Sequence, residues 1–316
     1  MVVVGYEGAE LLDIACVTTS LQTANHSGAD PPYEIAVVSP GGHPITCESG
    51  LTLQSSGALE RLKGPLDTLI ISGGLGVYEA AVNPRIVGHI RRLAQESRRI
   101  ASVCTGATIL AAAGLLDGKR ATTHWRYANR LARSYPQVTV DPTPIYIREG
   151  RISTSAGVTS ALDLMLAFIE EDCGAELARG VARGLVTYLH RPGNQAQMSM
   201  FTAAPVPGNG IVKRVTEYVS GHLSADLSAA VLAALAGVSE RHLTRLFVEG
   251  AGVTPGRYVR EARVEGAAQL LSGTALPVGR VAARCGFGSA ETLRQAFVER
   301  YGMPPSRYRA TQRGNG

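Results

Sequence analysis

The chain is predicted to fold as an α/β doubly wound domain followed by an all-α domain that carries two helix-turn-helix units. Three observations predict this. Short apolar runs alternate with helical patterns up to about His190, a Pro/Gly-rich stretch interrupts both periodicities, and a sixteen-residue motif then recurs at a shift of 50 positions. At 316 residues the chain has room for two domains of ordinary size, at roughly 150 residues each.

The strands come first. Val2–Val4, Ile35–Ser39, Thr68–Ile71 and Ile100–Val103 are apolar and bounded by turn residues, the pattern of strands buried on both faces of a parallel sheet. Between and after them lie helix candidates at Leu11–Asn25, Pro84–Ser97, Ala107–Ala113 and Trp125–Ser134. Alternation of this kind predicts a doubly wound sheet. Residues 1–190 are therefore assigned to the first domain, 191–210 to a linker, and 211–316 to the second domain, where helical patterns separated by Gly, Pro and Ser continue to the end.

Composition narrows the function classes. The apolar share is 45% and the charged share 18%, ordinary for a globular chain. No apolar run approaches the ~18 residues of a membrane helix, and the start lacks the form of a secretory signal, so a cytoplasmic protein with no membrane partner is expected. Five dispersed cysteines suit reduced thiols, and no His or Cys spacing suggests a metal or a cofactor. Residues 210–316 hold 14 Lys+Arg against 8 Asp+Glu, a balance of +6, while the remainder holds 17 against 18. The whole basic excess lies in the last third, which suggests a polyanionic partner for that part.

The repeat makes the partner specific. Leu243–Tyr258 and Leu293–Tyr308 share eight of sixteen residues, among them Leu243/Leu293, Phe247/Phe297, Pro255/Pro305 and Tyr258/Tyr308. Each copy reads as helix, turn, helix. In the first, Leu227–Ala236 supports, Gly237-Val238 turns, Ser239 caps and Glu240–Val248 follows. In the second, Val278–Arg284 supports, Gly286-Phe287 turns, Ser289 caps and Ala290–Arg300 follows. The two units span about 227–248 and 278–300. Leu243, Leu246 and Phe247, with Leu293, Ala296 and Phe297, fall at helical spacing as core. The opposite faces offer Arg241, His242, Thr244 and Arg245, and then Glu291, Thr292, Arg294 and Gln295. Arg matches guanine O6/N7, Gln matches adenine, and Thr can meet the thymine methyl, so double-stranded DNA is the expected partner. Two ordinary solvated helix faces are the alternative.

Residues 211–316 thereby resemble the AraC family of regulators. The likeness includes the linking helix Pro255–Leu271 and the run Gly286-Phe287-Gly288-Ser289 with Phe297, Tyr301-Gly302, Pro304-Pro305-Ser306 and Tyr308-Arg309. It implies seven helices, with both second helices entering successive major grooves.

In the first domain, Ile100-Ala-Ser-Val-Cys104-Thr-Gly reads as strand, one polar turn, then helix, a nucleophile-elbow pattern. The helix dipole is expected to favour thiolate at Cys104, and Gly73-Gly74 after an earlier strand could supply backbone donors beside it. A small buried core residue is the alternative for Cys104. Residues 1 to about 190 resemble the flavodoxin-like, PfpI-type members of the class I glutamine-amidotransferase-like superfamily at Gly8–Asp13, Ile70–Gly74, Ser102–Gly106, Ala121–Trp125 and Thr154–Asp163. That resemblance implies Cys104 at the elbow, Asp13 as its acidic partner and His124 in the triad region; Asp13, Cys104 and Thr105 are similar to isocyanide hydratase in particular. Asp13 could equally be a helix N-terminal acid, and His124 could hydrogen-bond within its own turn. A PfpI-like domain followed by an AraC-type domain is the arrangement of the GlxA group of transcription regulators. It implies a small-molecule effector, with a nitrogen-containing compound as the candidate, and a homo-oligomer. A DNA-tethered cysteine enzyme of hydratase or amidase type, and a redox switch at Cys104, are the alternative readings.

Overall fold

Val2–Val4 is wholly apolar and buried, and it lies inside a seven-stranded sheet, as a strand covered on both faces must. The strands run in the order Tyr146–Glu149, Ile152–Ser155, Ser97–Ser102, Leu66–Ile71, Val2–Val4, Ala36–Ser39 and Gly57–Ala58. All neighbours are parallel except the edge pair Tyr146–Glu149 and Ile152–Ser155. This computed structural model describes residues 1–187, 191, 193, 197 and 210–313. Two units, Met1–Gln197 and Met198–Gly316, divide the chain.

From Val2–Val4 the chain moves to one side of the sheet through helix Leu11–His26, reaching Ala36–Ser39. From Leu66–Ile71 it moves to the other side through Pro84–Gln95, reaching Ser97–Ser102. Right-handed crossovers in opposite directions put these helices on opposite faces, which makes the sheet doubly wound. Helix Leu11–His26 packs against Val158–Cys173, while Val77–Val82 and Pro84–Gln95 pack near Ala107–Ala112. Asn83 starts Pro84–Gln95 by accepting from the Arg85 and Ile86 N–H groups, with Pro84 preset for the first turn.

The register aligns the strand ends. Val4 faces Ile71, Ile71 faces Ser102, and Ser102 faces Thr154. The residues that follow, Glu7-Gly8, Gly73-Gly74, Cys104-Thr105 and Ala156-Gly157, therefore emerge along one edge, at the point where the strand order reverses.

All four predicted strands form and are parallel; Val2–Val4 keeps its bounds, and the other three start at shifted positions. The edge strands and helix Val158–Cys173 were not singled out as elements from the sequence. The predicted helix Trp125–Ser134 begins as a 3-10 turn over Trp125–Tyr127 and becomes α-helical only at Ala128–Ser134. Most of the 191–210 segment lies outside the described residues; Arg191, Gly193 and Gln197 within it belong to the first unit and hydrogen-bond to residues before 164.

The second unit has seven helices among the described residues: Gly210–Gly221, Ala229–Ala236, Glu240–Ala251, Pro255–Gly273, Val278–Arg284, Ala290–Tyr301 and Pro305–Arg313. Pro255–Gly273 is shared between two cores. Tyr258, Val259 and Ala262 join Leu243, Leu246 and Phe247 in one; Val264, Ala267 and Leu271 join Leu293, Ala296 and Phe297 in the other. The repeat is visible in aromatic geometry. Phe247 meets Tyr258 edge-on at 5.7 Å and 74°, and Phe297 meets Tyr308 at 5.0 Å and 75°. Such pairs stabilise by about 0.5–1.5 kcal/mol beyond their buried area. Gly237 and Gly286 make the two turns in the left-handed region, at φ 69° and 75°. No helix among the described residues is long and apolar enough to cross a membrane.

Candidate functional site

Strand Ser97–Ser102 ends, Val103 remains extended, and Cys104 adopts φ 54°, one of two positive-φ non-glycine residues among those described. Such a conformation costs about 1–3 kcal/mol and persists where surrounding packing enforces it. Gly106 lets the turn close, because a Cβ there would sit 2.5 Å from the Ile71 carbonyl oxygen. Gly73 is needed for a related reason. Its Cβ would lie 2.5 Å from Asp13 Oδ2 and 2.6 Å from Cys104 Cβ, so Asp13, Gly73 and Cys104 meet around one point.

Asp13 has no exposed surface. Its Oδ2 accepts the Gly73 N–H at 3.0 Å, and its Oδ1 has no partner among the described residues. Burial outweighs that hydrogen bond and raises the carboxyl pKa to about 7. Cys104 is 8% exposed, and burial, followed by the neighbouring Asp13, pushes its thiol pKa far up. The expected thiolate is thus corrected. The Thr105 N–H favours the thiolate, and burial beside an acid outweighs it.

The glycine pair also differs from expectation. The Gly73 N–H is taken by Asp13; the Gly74 N–H is taken by Thr105 Oγ1 at 2.9 Å, which donates back to the Gly74 carbonyl at 3.0 Å. Both donors foreseen for a substrate are engaged within the protein. His124 Nδ1 accepts the Arg126 N–H at 3.3 Å and starts the Trp125–Tyr127 turn, and its ring stacks on Trp125 at 5.7 Å. Burial and Arg126 lower its pKa, and no hydrogen bond joins it to Cys104 among the described residues. It is the turn histidine of the two alternatives.

Cys104, Thr105, Gly74 and His124 line one cavity of about 340 Å³, with Asp13 behind the wall. The sequence missed Glu10, Glu48, Trp125, Arg126 and Tyr127, which line it too. One oxygen of Glu10 accepts the Leu12 N–H and one of Glu48 the Leu75 N–H, each at 3.0 Å. Trp125, the sole tryptophan of the chain, is 44% exposed at this cavity. That exposed ring was the available signal; Glu48 arrives from a distant loop and gave none.

In the second unit Leu243, Leu246, Phe247, Leu293, Ala296 and Phe297 are all buried, leaving the polar positions outward. Ser239 caps Glu240–Ala251 by accepting the His242 N–H, and Ser289 caps Ala290–Tyr301 in a capping box with Thr292. Arg241, Arg245, Glu291, Thr292, Arg294 and Gln295 are exposed; His242 and Thr244 are half-buried. Arg245 lies 3.1 Å from His242 Nδ1. Arg294 grips Glu291 through two bonds of 2.8 and 2.7 Å, and Gln295 donates to the same carboxylate at 3.2 Å.

A doubly wound domain with a cysteine elbow and a unit with twin helix-turn-helix motifs define a two-domain transcription regulator. Residues 1–171 match the DJ-1/PfpI family and residues 232–311 match a helix-turn-helix domain. The chain belongs to the family of HTH-type transcriptional regulators that join a DJ-1/PfpI domain to an AraC-type DNA-binding domain. It is 34% identical to the HTH-type transcriptional regulator CdhR of Pseudomonas aeruginosa over 304 residues, 96% of this chain and 89% of that protein. Identity to the HTH-type transcriptional regulator GlxA of Rhizobium meliloti is 30% over 308 residues, covering 95% and 92%. A shorter likeness, 35% over 139 residues, joins 43% of this chain to 58% of the isonitrile hydratase of Pseudomonas putida.

Proposed function

We propose that this DNA-binding regulator responds to a small nitrogen compound with a cationic head, held in the cavity beside Cys104. The observation that carries the reading is the pairing of Glu10 and Glu48 with the Trp125 and Tyr127 rings around that cavity. Carboxylates and aromatic faces attract the same cations. Arg126, with its guanidinium 5.5 Å from the Trp125 ring, offers an anionic group of the same ligand a partner. A volume near 340 Å³ suits a metabolite-sized molecule. In this reading residues 1–190 sense, 191–210 link, and 211–316 read DNA. Ser239, Arg241, His242, Thr244 and Arg245, with Ser289, Glu291, Thr292, Arg294 and Gln295, face two successive major grooves. The protein acts in the cytoplasm, on the nucleoid, as a homo-oligomer. The exposed Leu12, Leu51 and Leu75 are apolar surface for such an association, which light scattering tests.

Titrating Trp125 emission with tetramethylammonium, against sodium acetate as control, tests the pocket. Saturable change with the cation alone supports it, and a response to acetate alone overturns it.

A second reading, a hydratase or amidase tethered to DNA, draws on Asp13, a carboxyl with a pKa near neutrality next to a thiol. Against it stand the raised thiol pKa and the engaged Gly73 and Gly74 N–H groups, and the same thiol pKa disfavours a redox switch. Many turnovers of an isonitrile by the full chain, abolished by Cys104→Ala, would establish catalysis instead.

A further inference from the structure

Thr159 and Asp163 belong to the Thr154–Asp163 run that carries the family resemblance, yet neither lines the cavity. Asp163 is 2% exposed and holds a residue 28 positions away. Its Oδ1 accepts the Arg191 backbone N–H at 2.7 Å, and its Oδ2 accepts Arg191 Nε at 2.9 Å. The Arg191 guanidinium also donates to Thr159 Oγ1 at 2.9 Å. A buried carboxylate gripped by both backbone and guanidinium is a strong, fixed attachment, because releasing the guanidinium leaves a buried charge without its partner.

Six residues on, Gln197 makes an attachment of another kind. Its Nε2 donates to the Thr123 carbonyl at 2.8 Å and to Thr122 Oγ1 at 3.1 Å, and its Oε1 accepts the Trp125 N–H at 3.0 Å. Its own backbone N–H donates to the Thr143 carbonyl at 2.9 Å. Nε2 also reaches the Pro144 carbonyl at 3.4 Å, while the three shorter side-chain bonds end on the strip 122–125, whose last two residues line the cavity. Thr123 Oγ1 donates to the Cys104 carbonyl at 2.7 Å, and His124 and Trp125 form cavity wall. Gln197 is also the last residue of the first unit.

We infer that Gln197 is a latch coupling the pocket wall to the point where the chain leaves the first unit, with the Arg191–Asp163 pair as its fixed post. A ligand lying against His124 and Trp125 shifts the strip 122–125 and changes the bonding of Gln197. Arg191 keeps its place because none of its partners is in that strip. The latch is made of neutral hydrogen bonds, which exchange with water at small net cost, whereas the post is a buried ion pair; the two differ in how readily they open. The purpose of the latch, though not its existence, rests on the sensor reading above.

The test uses the full chain, with Trp125 as the sole tryptophan and chymotrypsin cleavage after Phe201 as the measure of opening. Gln197→Ala should speed cleavage about tenfold, equivalent to ~1.4 kcal/mol, and shift Trp125 emission, with melting unchanged. Arg191→Ala should speed cleavage but leave the emission spectrum as in the wild type. Tetramethylammonium that saturates the Trp125 response should alter cleavage of the wild type and not of Gln197→Ala, and its affinity should differ between the two. Unchanged cleavage and emission in Gln197→Ala overturn the latch, as does saturation of the wild type with no effect on cleavage. Absence of any tetramethylammonium response counts against the pocket reading, and the latch then stands or falls on Gln197→Ala alone.

Discussion

Replacing Asp13 by asparagine removes a charge that the fold accommodates poorly. The carboxyl is fully buried, one oxygen holds the Gly73 N–H, and the other has no partner among the described residues. Its pKa in the folded chain is about 7, against 3.8 for an unperturbed aspartate. Between those pH values the folded protein binds a proton that the unfolded chain has released. Stability therefore falls as pH rises through that window, and the loss is complete above pH 7. A shift of roughly three units at ~1.4 kcal/mol each sets an upper limit of about 4 kcal/mol. The amide that replaces the carboxyl does not titrate in this range. Asp13→Asn should therefore unfold at higher urea than the wild type at pH 8, by at least ~2 kcal/mol, with the difference shrinking towards pH 4.5. Trp125 fluorescence follows the first unit alone, which avoids mixing two unfolding transitions. A difference between variant and wild type that stays constant from pH 4.5 to 8 would refute the reasoning.

Other substitutions separate core from surface. Leu243→Ala should cost ~2–5 kcal/mol in the second unit through a cavity, read as a lowered midpoint of helix unfolding by circular dichroism. An unchanged midpoint would mean that the helix faces are misassigned. Arg241→Ala, Arg245→Ala and Arg294→Ala should each weaken binding to selected DNA about tenfold to a hundredfold and affect random DNA much less. Equal losses on both would demote them to phosphate contacts. Cys104→Ala should leave operator affinity without ligand within about twofold while changing the response to a bound cation, since Cys104 lines the pocket of the first unit. A large loss of affinity without ligand would contradict that separation.

How much of this was legible follows from the range of the interactions involved. The buried parallel strands were visible as apolar runs, and the twin motifs as a repeat, because periodicity is a local property. Gly237 and Gly286 were readable for the same reason: a left-handed turn demands its residue wherever the rest of the chain lies. The edge strands Tyr146–Glu149 and Ile152–Ser155 were not singled out, being short, partly polar and defined by pairing. The meeting of Asp13 with Cys104 was an implication of family resemblance, and the contact itself depends on Gly73 having no Cβ. The chemistry of that contact is set by surroundings that no local pattern encodes. An elbow and a helix suggest thiolate, and only the packed environment reveals that burial prevails. Glu10 and Glu48 enter the cavity from separate loops, and Gln197 from a stretch whose composition reads as linker; no local pattern marks any of them.

The proposed reading of DNA joins two outward helix faces 50 residues apart in sequence. Selecting DNA from a random pool with the full chain, then mapping guanine N7 protection on the selected site, tests this directly. Protection in two major-groove segments ~10 base pairs apart on one face is the predicted result, with Arg294→Ala losing protection in one segment only. Protection of a single segment, unaltered by Arg294→Ala, would contradict it.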